Sequence, residues 1–266
     1  KGVTADIFRP LAYDSGANFF ITAVRQWGGI YTEMGDDIRT GFIRFDTQAT
    51  RNALTFFENM YDTGVIGLPA NWGEASYSSN PFKAVKTVMT ISSSAGVTNN
   101  VPAGNLFEVD VRPIPYNATG SRYVISQGTN LAMFDRGTDE EKAASWKLIK
   151  FLTTEANDRF AQGTSYFPVT KTMAESAFYQ GFLNAPDTTL TSTEKAIKSA
   201  ARVNSTAYDL ESSNWTKFVD PGFVGSSRVR TEVGLIMGLL INEEGTRGTV
   251  EGVLNYVMNQ LSDFTE

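Results

Sequence analysis

The chain has 266 residues with a formal net charge of -6, and 41% of its residues are hydrophobic and 20% are charged. This composition is typical of a folded globular protein with one large or two modest domains, and the acidic balance excludes the basic surface that nucleic acid or an anionic membrane requires. The absence of histidine and cysteine excludes imidazole bases, thiol nucleophiles, disulfide bonds and zinc sites built from these side chains.

The apolar runs and the first residue bear on how the chain relates to a membrane and to a longer protein. The longest apolar run, residues 233–241, is too short to cross a membrane. No signal-peptide pattern is present, and the chain begins with Lys1 rather than Met. We therefore expect the chain to be a piece of a longer protein.

The apolar spacing of the first 64 residues predicts two amphipathic helices separated by extended chain. The helices run over about 17–27 and 47–63, and a glycine follows each of them and can end it. Asp46 can cap the second helix. An extended segment or short strand is expected at 41–45, and residues 1–14 are expected to be irregular.

The next fifty residues predict loops and strands. Residues 65–80 read as a loop, an approach to a strand begins near Phe82, and the β-branched stretch 87–91 is a clear strand. The hydroxyl-rich residues 92–96 follow as a turn that can begin a helical turn. Alternating apolar and polar residues over 107–114, with a proline among them, predict an edge strand.

A strand and a helix follow in residues 122–162. The apolar residues 123–125 predict a strand, and Gly128 marks a bulge or a close approach of another group to the backbone. Thr138 and Glu141 form a capping box that begins a helix. The apolar face of that helix consists of Ala144, Leu148, Ile149, Phe151 and Leu152.

The remaining chain predicts mainly helices. They are expected at about 154–161, 171–186, 192–203 after a second capping box at Thr191, 227–241 and 248–262, with loop-like chain over 208–227. Short strands that alternate with many helices predict an α/β fold.

Seven short segments carry a family resemblance when they are taken in order, and none is specific alone. They are Gln26–Gly29, the helix after Asp46, Phe82–Gly96, Ser126–Gly128, Lys150–Leu152, Ser165–Lys171 and Arg228–Arg230. Together they resemble the C-terminal part of a family 1 extracellular solute-binding protein, one of the periplasmic or lipid-anchored receptors that deliver sugars to ABC importers. The resemblance spans most of the 266 residues.

This resemblance implies a type II periplasmic-binding-protein fold, in which two α/β lobes close around a ligand by hinge motion. Residues 1–128 and 163–266 would form the C-terminal lobe, and residues 129–162 would belong to the N-terminal lobe. Most of the N-terminal lobe would precede Lys1, so the chain is expected to be truncated and to bind ligand weakly.

The resemblance also implies partners and a location. The partners would be a small sugar, polyol or glycerophosphate and the subunits of an ABC permease. The location would be periplasmic or extracellular, with attachment to the membrane only through an anchor absent from this chain. No cofactor, metal site or catalytic residue is expected.

The closest local pattern within the family is that of glycerol-3-phosphate-binding proteins, although sugar-specific relatives share several of its positions. The ligand-binding residues that this pattern implies are Trp27, Gly28, Ser93, Ser94, Gly128, Tyr166 and Arg230. An arginine can bind phosphate with two parallel hydrogen bonds, and an indole ring can pack against the apolar face of a sugar.

Each of these residues also has a structural interpretation. Trp27 fits the core, the serines fit a helix cap, Gly128 fits a bulge, and Tyr166 fits a core aromatic with its hydroxyl at the surface. Arg230 fits a salt bridge, and Arg228 is an equal rival for anion binding.

Two other functions stay open from the residues alone. A carbohydrate-active enzyme would need two carboxylates facing each other at about 5 to 9.5 Å. A surface adhesion or assembly fragment would have no small-molecule cleft.

Overall fold

A computed structural model describes residues 7–37, 39–208, 214–241 and 248–265. The chain divides into two compact units. Unit 1 comprises Lys1–Ser92, Ile114–Ser126 and Trp215–Glu266, and unit 2 comprises Ser93–Pro113 and Gln127–Asn214.

The described strands are short and belong to unit 1. They are β1 Leu11–Tyr13, β2 Thr32–Met34, β3 Gly41–Ile43, β4 Ile66–Gly67, β5 Met89–Ile91, β6 Tyr123–Ile125 and β7 Thr216–Phe218. A parallel sheet has the order β4-β1-β5, an antiparallel pair joins β2 to β3, and a parallel pair joins β6 to β7.

The α-helices belong to both units. They are α1 Gly16–Gln26, α2 Gln48–Asp62, α3 Ser79–Lys83, α4 Asp139–Thr153, α5 Asn157–Thr164, α6 Lys171–Ala174, α7 Ala177–Asn184, α8 Ser192–Arg202, α9 Ser226–Gly234, α10 Ile236–Leu240 and α11 Val250–Gln260. Short 3₁₀ helices lie at Pro69–Trp72, Ser94–Asn100, Ala103–Asn105, Asp187–Thr189 and Ser262–Phe264, and a π-helix lies at Val203–Ala207.

The core of unit 1 is built around the apolar face of α1. Phe19 and Phe20 are fully buried. The Phe19 ring stacks on Tyr13 of β1 with centroids 3.8 Å apart, and Phe20 meets Phe45 edge to face at 5.2 Å. Further apolar side chains from α2, α9, α10 and α11 complete this core. Burial of large aromatic side chains therefore fixes α1 against the parallel sheet.

Unit 2 has a smaller core and no strand among its described residues. Tyr179 and Phe182 of α7 pack with the buried alanines of α8. Helix α4 buries none of its fifteen residues, although its sequence has an apolar face.

Most of the predicted helices are confirmed, because their signals are local. The predicted helices near 17–27, 47–63 and 248–262 correspond to α1, α2 and α11. Both capping boxes are present: the hydroxyls of Thr138 and Thr191 accept from the N–H groups three residues on, and the glutamates there bond back. Strands expected at 41–45, 87–91 and 123–125 are β3, β5 and β6.

The edge strand predicted over 107–114 is wrong, and the approach to a strand expected near Phe82 is helical. Residues 79–83 form α3, in which a proline occupies the first turn, where its missing N–H is tolerated. Residues 107–114 form no strand, because the N–H of Val111 donates to the Ser199 hydroxyl of α8 at 2.8 Å and Val109 packs on the core of unit 2. This segment therefore uses side-chain contacts where a strand would use a backbone partner.

Other boundaries differ from the expectation. Thr47, not Asp46, caps α2, and the helix predicted over 171–186 is divided into α6 and α7 because Ser176 caps the second part. β1 and β7 lie in the regions 1–14 and 208–227 that were expected to be irregular. The parts of those regions at 1–6 and 209–213 lie outside the described residues.

Candidate functional site

Unit 1 contains a partly enclosed cavity of about 230 Å³. Its walls come from β2, from the loop after β7 and from the first turns of α9. The lining residues are Tyr31, Thr32, Asp220, Pro221, Gly222, Phe223, Ser226, Ser227 and Arg230. The volume is below the roughly 300–1,000 Å³ of pockets for drug-sized ligands, so this cavity suits a small polyol or a single sugar ring.

The loop that leads into α9 is held by packing against the β2–β3 pair. Phe223 lies flat on Gly41, where a Cβ would come within 2.2 Å of the ring, and the N–H of Val224 donates to Arg39 at 2.9 Å. Gly225 begins α9 in the left-handed region, at φ 94°, and offers no side-chain cap. The first N–H groups of α9 therefore depend on other acceptors, and the Ser226 N–H finds one in the Phe223 carbonyl.

Two of the residues that line the cavity carry buried hydroxyl groups. Tyr31 is 5% exposed and Thr32 is 6% exposed, and neither hydroxyl has a hydrogen-bond partner among the described residues. An unpaired buried polar group costs about 1–3 kcal/mol. A ligand whose own hydroxyl groups reached these two oxygens would satisfy both of them.

Tyr31 stays protonated at neutral pH and can donate as well as accept. Burial raises the pKa of its phenol above the ordinary value, and the Asp220 carboxylate raises it further. The ring is fixed by a stacked contact with Phe45 at 6.0 Å.

Arg230 reaches the cavity in a fixed position. Its Nη1 donates to Oδ2 of Asp220 at 2.5 Å, and its Nη2 donates to the Asn18 side-chain oxygen in the first turn of α1. The rival Arg228 bonds instead to Asp263 and to the carbonyl of Gln260. The structure therefore separates the two arginines, and only Arg230 lines this cavity.

Trp27 and Gly28 lie at the other end of α1. Because Asn18 is nine residues before Trp27, the two are about 13 Å apart along the helix axis. The Trp27 ring packs against Phe56 at 5.1 Å and Phe57 at 5.6 Å, and Gly28, at φ 85°, ends α1 in the left-handed conformation. The structure does not bring Trp27 together with Arg230, and the ligand role of Trp27 and Gly28 stays a prediction.

The other four predicted residues belong to unit 2. Ser93 caps the 3₁₀ turn by accepting from the Ala95 N–H at 3.3 Å, and the carbonyl of Ser94 accepts from the Ser165 hydroxyl at 3.0 Å. This bond brings Ser94 beside the turn that carries Tyr166.

Tyr166 and Gly128 are both exposed. The Tyr166 ring lies 5.8 Å from Phe160, and a side chain added at Gly128 would meet no atom within 4 Å. Gly128 is therefore not required by packing, and its ligand role, like those of Ser93, Ser94 and Tyr166, stays a prediction.

Sequence reasoning missed several cavity residues. Tyr31 and Thr32 follow the glycines that end α1, and no sequence pattern marks them as site residues. One signal was available: Asp220-Pro221-Gly222 is a turn signature, and a turn just before two serines at a helix start can supply donors to a ligand.

The cavity offers little for hydrolytic or metal chemistry. Asp220 is the single carboxylate among its nine lining residues, and it is paired with Arg230. Within the described ranges no cluster of three metal-ligating side chains exists. No described helix has the length and apolar character needed to cross a membrane.

The chain matches one family model. The model is described as bacterial extracellular solute-binding protein, and it matches residues 4–187, more than half of the chain. A search of curated protein sequences gave no match.

Solved structures share the fold. The GacH receptor of Streptomyces glaucescens GLA.O is 15% identical, with a TM-score of 0.62 over 97% of this chain and 60% of its own. A solute-binding protein of Thermotoga lettingae TMO is 12% identical, with a TM-score of 0.60 over 99% and 61%. The maltose/maltodextrin-binding domain MalE of Bdellovibrio bacteriovorus is 17% identical, with a TM-score of 0.58 over 97% and 61%.

These likenesses establish the fold as that of type II periplasmic binding proteins and confirm the predicted fold class. The chain spans about 60% of the length of the structures it matches.

Proposed function

This chain belongs to the bacterial extracellular solute-binding proteins, and we propose that it is the sugar-binding part of a receptor that delivers its ligand to an ABC importer from the periplasm or the cell exterior. The observation that carries the proposal is the cavity of unit 1, where the buried hydroxyls of Tyr31 and Thr32 have no partner among the described residues.

The chemistry of the cavity suits a polyhydroxylated ligand. Sugar and polyol hydroxyls donate and accept at once, and the Tyr31, Thr32, Ser226 and Ser227 hydroxyls can do the same. The small volume and the apolar wall of Phe223 favour one ring or a short polyol.

The ligands of the related structures support this class. The GacH receptor is described in complex with acarbose, the Thermotoga lettingae protein with alpha-D-tagatose and the Bdellovibrio protein with maltotriose. All three ligands carry many hydroxyl groups.

The partners follow from the same proposal. ABC permease subunits would receive the ligand, and an anchor outside this chain would hold the receptor at the membrane. Residues 129–162 would pack against the N-terminal lobe in the full-length protein. The exposed apolar side chains of α4, Leu148, Phe151 and Leu152, support this packing.

Glycerol-3-phosphate is the second candidate ligand. The observation that favours it is the position of Arg230 at the cavity beside the start of α9, because helix N-termini and guanidinium groups both bind phosphate.

The two alternative functions have less support. A carbohydrate-active enzyme needs a facing pair of carboxylates, and the cavity lining supplies only Asp220. The family consists of extracellular solute-binding proteins rather than enzymes.

Ligand-observed NMR with the purified chain tests the proposal, because this method detects the weak binding expected of a chain that spans part of the relatives' length. We expect glucose, tagatose and glycerol to bind at millimolar concentration, and Tyr31→Phe and Thr32→Val to weaken binding at least fivefold. Both hydroxyls lack a partner within the described part of the chain, so neither variant should lose stability.

The control is Tyr77→Phe, which removes a hydroxyl from an exposed side chain of unit 1. Unchanged binding by Tyr31→Phe and Thr32→Val, or equal weakening by Tyr77→Phe, would contradict the proposed role of the cavity.

A further inference from the structure

We infer that Asp220 determines the charge selectivity of the cavity: by pairing with Arg230 it makes the site accept neutral polyols and sugars and reject their phosphorylated forms. The inference rests on the proposed function, since it concerns the same cavity. The cavity hydroxyls favour a neutral sugar or polyol, and Arg230 favours a phosphorylated ligand. The charge of Asp220 decides between these two ligand classes.

The geometry of the pair holds the guanidinium in a fixed position. Both terminal nitrogens of Arg230 donate to protein oxygens, one to Asp220 and the other to Asn18. The side chains of Arg230 and Asp220 are 28% and 17% exposed, so water screens this pair less than it screens an ion pair at the surface.

The charges at the cavity therefore balance. One cation and one anion line it, and the other polar side chains are the neutral hydroxyls of Tyr31, Thr32, Ser226 and Ser227. A phosphate that approached Arg230 would have to displace Asp220 or lie beside its carboxylate. Like-charge contacts of this kind are how a site rejects the wrong ligand.

A neutral ligand meets no such obstacle. Its hydroxyl groups can donate to the carboxylate of Asp220 and accept from the hydroxyls of Tyr31 and Thr32. Charge-assisted hydrogen bonds to Asp220 would then strengthen the binding of a polyol, while the same carboxylate excludes an anion.

Glycerol and glycerol-3-phosphate form a matched pair of probes, because they differ only in the phosphate. Inorganic phosphate is a third probe. We expect the wild-type chain to bind glycerol, or glucose as a larger neutral probe, at least tenfold more tightly than it binds glycerol-3-phosphate or inorganic phosphate.

Asp220→Asn keeps the shape of the side chain and removes its charge. We expect this variant to bind glycerol-3-phosphate at least tenfold more tightly than the wild type, with a gain that declines as salt is added. The double variant Asp220→Asn/Arg230→Gln should lose this gain in affinity for glycerol-3-phosphate. Such a loss would show that the gain depends on Arg230.

Asp263→Asn is the matched control. Asp263 pairs at 3.0 Å with Arg228, which lies on the same helix as Arg230, and neither Asp263 nor Arg228 lines the cavity. This variant removes the same charge and should leave the binding of all three probes unchanged.

The outcomes separate the inference from the proposed function. If Asp220→Asn gains no phosphate binding, or if the wild type binds glycerol-3-phosphate as tightly as glycerol, the role of Asp220 is overturned, and sugar binding by the wild type still supports the function. If no neutral probe binds the wild type but Asp220→Asn gains phosphate binding through Arg230, Asp220 excludes anions as inferred and the proposed sugar function fails. The wild-type comparison tests the inference even if the variant does not fold.

Discussion

Helices α1 and α4 have similar sequence signals and opposite surroundings. Both are amphipathic, but α1 buries seven of its eleven residues and α4 buries none of its fifteen. Helix α1 has no side-chain cap, because Ser15 adopts φ 59° and its hydroxyl does not bond to the helix, whereas α4 has a complete capping box and three acidic residues in its first turn.

The difference shows two ways in which a helix is stabilised. Helix α1 is stabilised by tertiary packing, which supplies most helical stability in proteins. Helix α4 has the end groups that stabilise a helix locally. An apolar face in the sequence therefore identifies a helix, and it does not tell whether this chain covers that face.

The largest expected effect tests this comparison with one substitution in each helix. Phe20→Ala in α1 removes a fully buried ring and should lower the free energy of unfolding by about 3–5 kcal/mol. Phe151→Ala in α4 removes a ring that is 47% exposed and should lower it by less than about 1 kcal/mol. Urea denaturation of both variants gives the two values, and equal losses would show that the face of α4 is covered in solution.

The same contrast explains which parts of the fold can be predicted from sequence. Capping boxes at Thr138 and Thr191 involve residues three positions apart, so the sequence reveals them directly. The strands β1 and β7 have three residues each, and β7 pairs with β6, in which Tyr123 lies opposite Thr216. Local patterns cannot reveal a partner that is so distant in the chain.

The candidate site divides in the same way. Arg230 could be proposed from the sequence, but its pairing with Asp220 depends on how the loop before α9 turns back, and its contact with Asn18 joins residues 212 positions apart. The hydroxyls of Tyr31 and Thr32 have no partner among the residues that the structure describes, and this is evident only when their burial is known. Trp27 was assigned to the ligand by resemblance, and the structure shows the aromatic contacts with α2 that its sequence position does not reveal.

The carboxylates at the starts of the two helices should respond to pH in opposite directions. Burial raises the pKa of Asp14, just before α1, from 3.8 to about 6, although the hydroxyls of Ser15 and Ser78 donate to it. The pKa of Glu140 in α4 is lowered by a hydrogen bond with its own backbone N–H and by Thr138. As the pH falls, the stability of unit 1 should therefore first increase through Asp14. The stability of α4 should decrease only at lower pH.

The sign at Asp14 follows from its raised pKa. The folded state disfavours the ionised carboxylate, so the penalty is complete above about pH 6 and is relieved as the pH falls from about 6 to 4. The full relief is on the order of 3 kcal/mol. Urea denaturation at pH 7, 6, 5 and 4 should show this gain in the wild type relative to Asp14→Asn, and parallel pH profiles of the two proteins would contradict it.

The smallest effect concerns the cap of α4. The Thr138 hydroxyl accepts from the Glu141 N–H at 3.3 Å, and the Glu141 carboxylate accepts from the Thr138 N–H at 2.8 Å. Thr138→Ala should cost about 1 kcal/mol, and because α4 buries no residue this cost should appear as local opening. Amide hydrogen exchange in the first turn of α4 should become roughly fivefold faster, while the amides of α1 stay unchanged. Thr138→Ser, which keeps the hydroxyl, should restore the wild-type rate, and acceleration of α1 together with α4 would mean that the two helices open as one cooperative unit.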